Sequence, residues 1–132
     1  MSRNKPDRLV LPAILLLCQL LVAPAFAQAP FFQGKTITIV QGRDPGGTGD
    51  LRVRALVPFL QKYIPGSPNI IIQNVAGAAS LIAANQVYSI AKPDGLTLGA
   101  IYPALYFDQL VKRPAVKYDW SNFAWIGRPV GS

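Results

Sequence analysis

The chain has 132 residues, with 13 Lys or Arg against six acidic residues, and a formal net charge of +7. It contains no histidine, and its only cysteine is Cys18. A Ser/His/Asp site therefore lacks its proton acceptor, zinc lacks its usual imidazole and thiolate set, and no disulfide can form within the chain.

Residues 1–27 have the three parts of a secretory signal in order: Arg3, Lys5 and Arg8, then an apolar run over 9–23, then small residues at Ala25 and Ala27. The expected cut follows Ala27, which predicts a periplasmic product. The run falls short of the roughly 20 apolar residues that span a bilayer, and Pro12, Gln19 and Pro24 interrupt it. Cys18 follows Leu17, where a lipid-modified cysteine needs a small residue before it. Residues 28–132 are then one modest domain with a single core. They hold ten Lys or Arg against five Asp, scattered without a stripe, so nucleic acid is not an expected partner. Asp44, Asp50, Asp94, Asp108 and Asp119 are the only anionic ligands left for a hard cation. No catalytic residue, metal or cofactor is assigned, and the chain is read as a binder, not an enzyme.

In chain order, 36–41 alternates Thr and Ile and predicts a strand. Residues 50–64 place Val53, Leu56, Val57, Leu60 and Ile64 at helical spacing, with Asp50 as N-cap and a kink or early end at Pro58. Residues 65–68 make a turn. The three isoleucines of 69–73 predict a strand buried on both faces. A second helix is expected over 80–91 through Leu81, Ala84, Val87, Tyr88 and Ala91, and a third strand over 96–101. Beyond these, 104–111 reads as a short helix, 113–122 as a loop and 123–126 as a brief strand. The βαβαβ order predicts an α/β fold, a parallel sheet with helices on both faces.

Ligands of such sheets collect beyond the carboxyl ends of the strands, where helix N-termini converge. The first helix-entry loop contains Gly46, Gly47, Thr48, Gly49 and Asp50. Its glycines let a ligand approach the backbone closely, though they serve a tight turn equally well. The second, 73–80, holds Asn74 and Gly77, and Tyr102 follows the third strand on the same side. Asp50 and Arg54, four apart, are expected to pair on the helix surface.

GKTITIV running into PGGTGD, then PNIIIQNVAGAAS and AKPDGLTLGAIYP, stand in one order over residues 34–103 behind an exported N-terminus. In this the chain resembles the N-terminal part of the tripartite tricarboxylate transporter substrate-binding proteins, the TctC or Bug family. The resemblance implies an incomplete first lobe of a type II periplasmic-binding-protein (Venus-flytrap) fold, a small carboxylate solute and a membrane permease of the tripartite type. It implies ligand contacts at Gly46, Gly47, Thr48, Gly49, Asn74 and Gly77. Ala76 and Ala79 stand where the family has a proline and a glycine, and Ala100, Ile101 and Tyr102 replace small polar residues, which predicts a different solute. The family's two-lobed length predicts that a chain of this size is a truncated lobe that binds weakly or not at all. Two other readings are a non-binding gene remnant and a nucleotide-binding enzyme fragment. The last lacks both the Lys-Ser/Thr of a P-loop and the dinucleotide glycine spacing.

Overall fold

A computed structural model describes residues 29–127; the expected signal at 1–27 and its cleavage point lie outside them. Three strands form a parallel sheet in the order β2-β1-β3: β1 Thr36–Gln41, β2 Asn69–Asn74 and β3 Thr97–Ala100. β1 is central because it pairs on both sides, with β2 along one edge and β3 along the other. Ile37 and Ile39 are buried on one face and Val40 on the other. Register runs from Thr36 opposite Asn69 to Gln41 opposite Asn74, and from Thr38 opposite Thr97 to Gln41 opposite Ala100.

Helix α1, Thr48–Tyr63, lays Val53, Val57 and Leu60 on the face made by Ile37, Ile39 and Ile70. Helix α2, Leu81–Ser89, covers the opposite face, where Val87 fills the space above Gly99. The chain steps to one side of β1 and then back across it to the other. Right-handed crossovers in opposite directions put their helices on opposite faces, as observed. A second cluster joins α2 to helix α3, Leu105–Leu110, and to the segment beyond it through Leu81, Ala84, Leu105 and Tyr118. The Tyr118 hydroxyl donates to the Leu105 carbonyl at 2.8 Å. Asn85 clamps the same segment, donating to the Ala115 carbonyl and accepting from the Lys117 N–H, each at 2.9 Å.

Several local expectations are corrected. α1 starts two residues before Asp50, with Gly47 as N-cap, and continues through Pro58. Pro58 and Arg54 are both solvent-exposed, so the carbonyl that loses its helical donor can be hydrated. β2 is an edge strand with one covered face: Ile70 is buried while Ile71 is 48% exposed. The second helix begins at Leu81, after a turn at Ala78–Ser80 whose backbone is left-handed, with φ of 46°, 52° and 75°. Residues 123–126 form no strand. Trp125 instead packs on Trp120, with ring centroids 4.5 Å apart, and Phe123 on Tyr88 at 5.5 Å.

Candidate functional site

The loops leaving all three strands meet at one end of the sheet. What ties the ends of β1 and β2 there is Asp50, in the first turn of α1 and only 1% exposed. Its two carboxylate oxygens accept four hydrogen bonds. One oxygen takes the Gly46 N–H at 2.8 Å and the Arg54 Nε–H at 2.7 Å. The other takes the Asn74 amide at 3.1 Å and the amide of Gln41, the last residue of β1. Foremost Arg54, then the Gly46 N–H and the Asn74 amide, hold the Asp50 carboxyl far below the usual carboxylate range. Asp50 and Arg54 are therefore not a surface pair. The carboxylate is interior and the guanidinium half-exposed.

Asn74 extends the network. Its amide also donates to the Arg43 carbonyl at 3.1 Å, and its oxygen accepts from Arg54 at 3.2 Å. The ends of β1 and β2, the first loop and α1 are thus tied through one carboxylate. The second loop is tied by Ser80, fully buried, whose hydroxyl donates to the Gly42 carbonyl at 2.8 Å. Gly42 has to be glycine, because a Cβ there would overlap Ser80.

These loops wall a cleft of about 520 Å³, lined by residues 42–44 and 47–50 together with Ala76, Gly77, Ala79 and Tyr102. Of the eight residues expected from sequence, Gly47, Thr48, Gly49, Asp50, Gly77 and Tyr102 stand in its wall. Gly46 and Asn74 are not in that wall, and their donors are committed to Asp50 and Arg43. Asp50 reaches the wall with both oxygens occupied, which makes it a scaffold. The Thr48 and Gly49 N–H groups, in the first turn of a 16-residue helix, have no acceptor within that helix.

Arg43 was not singled out in the sequence, where it is one basic residue among many. It lines the cleft, half-buried, with its guanidinium 4.3 Å from the centre of the Tyr102 ring. The available signal was position: a basic residue one turn before a glycine-rich helix entry. Gln41 and Ser80 also escaped, since neither is recognisable until its partners are known. Among the described residues no cluster of acidic side chains, histidines or cysteines could hold a metal ion. No described helix is long and apolar enough to cross a membrane.

No family model matches the chain. Over 83 residues, 63% of its length, it is 36% identical to a protein of Cupriavidus necator described as "UPF0065 protein in gbd 5'region". The match spans 24% of that relative's length.

Proposed function

We propose that this chain is the first-lobe portion of an extracytoplasmic solute-binding protein of the TctC or Bug type, and that its cleft takes one carboxylate group of a small organic acid. One observation carries the reading. The cleft lies at the carboxyl ends of a parallel sheet where the chain reverses its lateral direction, between β1 and β3, with a long helix aimed into it. At that point in an open α/β sheet, helix amides face a crevice with no strand above it. The positive end of the helix favours an anion. Similarity to the UPF0065 relative supports the same assignment. Export, and delivery of the acid to a permease, belong to this proposal.

A single lobe touches a ligand from one side, so millimolar affinity is expected for the isolated chain. Nuclear magnetic resonance reads affinity in that range. Titrating the 28–132 chain with sodium succinate should move the amide signals of Thr48, Gly49 and Gly77, while sodium chloride at matched ionic strength should not. Saturable shifts with ATP and none with succinate would replace this reading by the nucleotide one. No shift with either would leave a chain that binds neither class.

A further inference from the structure

Resting on the carboxylate reading, we infer that Arg43 is the specificity-determining residue of the cleft: its guanidinium selects an ionised carboxylate over the corresponding neutral amide, and Tyr102 holds it in position. The helix start supplies only partial charge, and the hydrogen bonds it offers suit a neutral carbonyl oxygen as well as a carboxylate. A full charge is needed to tell the two apart. Among the charged groups around the cleft, Asp50 and Arg54 satisfy each other. Asp44 is solvent-exposed, where its charge is screened. Arg43 remains. Among the described residues no carboxylate lies within ion-pair distance of it, in contrast to Arg54 with Asp50 and Arg113 with Asp108.

Its placement is built from both sides. Gly49 leaves room that a Cβ would take from the Arg43 side chain, whose outer part from Cδ to the guanidinium carbon lies against the start of α1. Tyr102, which follows β3, brings its ring under the guanidinium, whose carbon lies over it at 4.3 Å from the centroid. Among the described residues no group accepts a hydrogen bond from the Arg43 side chain, in contrast to Arg54 and Arg113, so its fork of N–H donors is available to a planar acceptor. The fork and the Gly49 amide can therefore serve one carboxylate together. Lysine lacks this planar geometry, so charge alone should not restore full selectivity.

The test is an NMR titration with sodium succinate and with succinamide, following backbone amides and the Arg43 Nε–H signal. Wild type should bind succinate about 10- to 100-fold more tightly than succinamide, with the Nε–H signal moving for succinate only. Arg43→Gln should lose that preference, Arg43→Lys should recover part of it, and Tyr102→Leu should reduce it. Gly49→Ala keeps the arginine but takes its space, and should weaken succinate binding with the fold retained. If wild type binds succinate and Arg43→Gln binds it as tightly, the role of Arg43 falls and the carboxylate site stands. If wild type binds no carboxylate, both fall.

Discussion

At the scale of single residues, the four donors on Asp50 make it the most consequential side chain of the site, although it has no free lone pair to offer a ligand. Asn at this position keeps one acceptor and turns an amide N–H₂ toward donors, leaving buried groups opposed. Asp50→Asn should therefore lower the urea midpoint at neutral pH more than Arg54→Ala does, since the latter leaves Asp50 three of its partners. The sign of the pH effect follows from the depressed folded-state pKa. In the unfolded chain Asp50 takes up its proton near pH 4, and in the folded protein only at much lower pH. Its contribution is thus full above about pH 4 and is lost as pH falls below that. Urea midpoints measured downward from pH 5 should drop more steeply for wild type than for Asp50→Asn. Some slope remains in the variant, because Asp119 is also held below its ordinary value by Ser121 and Gln109. In the sequence, the i,i+4 spacing to Arg54 marks this residue as half of a surface ion pair. What draws it inside is Gln41 and Asn74, nine and 24 residues away, and no local pattern contains them.

The turn between β2 and α2 is the element that departs furthest from local preference. Ala78, Ala79 and Ser80 all have positive φ, a region that disfavours any residue with a Cβ by roughly 1–2 kcal/mol. Ser80 has a reason to stay, its buried bond to Gly42; Ala79, the residue before it and exposed, has no such bond. Ala79→Gly should raise stability by about 1 kcal/mol, after allowance for the greater freedom of glycine in the unfolded chain. Calorimetry should show a Tm higher by about 4 °C. A lower Tm would mean that the Ala79 methyl, in the cleft wall, contributes packing that outweighs the strain. Alanines at helix spacing say nothing about handedness, which explains why 80–91 read simply as helix. α1 was legible through its apolar stripe, with one exception. Leu56 fits the spacing yet lies at the exposed margin, because the sheet is only three strands wide among the described residues.

On the scale of the whole molecule, order and direction of the strands could be read because Thr/Ile alternation, helical stripes and turn residues recur in sequence. Lateral position could not. Three consecutive isoleucines suit a central strand as well as an edge, and the difference is set by which strand pairs on both sides. Ile39→Ala, in the centre, should cost about 2–5 kcal/mol, whereas Ile71→Thr at the open edge should cost less than about 1 kcal/mol; parallel urea melts compare them. The short run at 123–126 failed for a related reason: with no described strand beside it, its aromatic rings found one another instead. The sheet order also has a consequence in time. β1 is made first, yet one of its edges waits for residues 69–74 and the other for 97–100. Until then TITIVQ is a bare β-forming hexapeptide, so refolding should be governed by distant pairing and run in milliseconds to seconds. During synthesis the segment that becomes the centre of the domain is the one longest exposed to wrong partners.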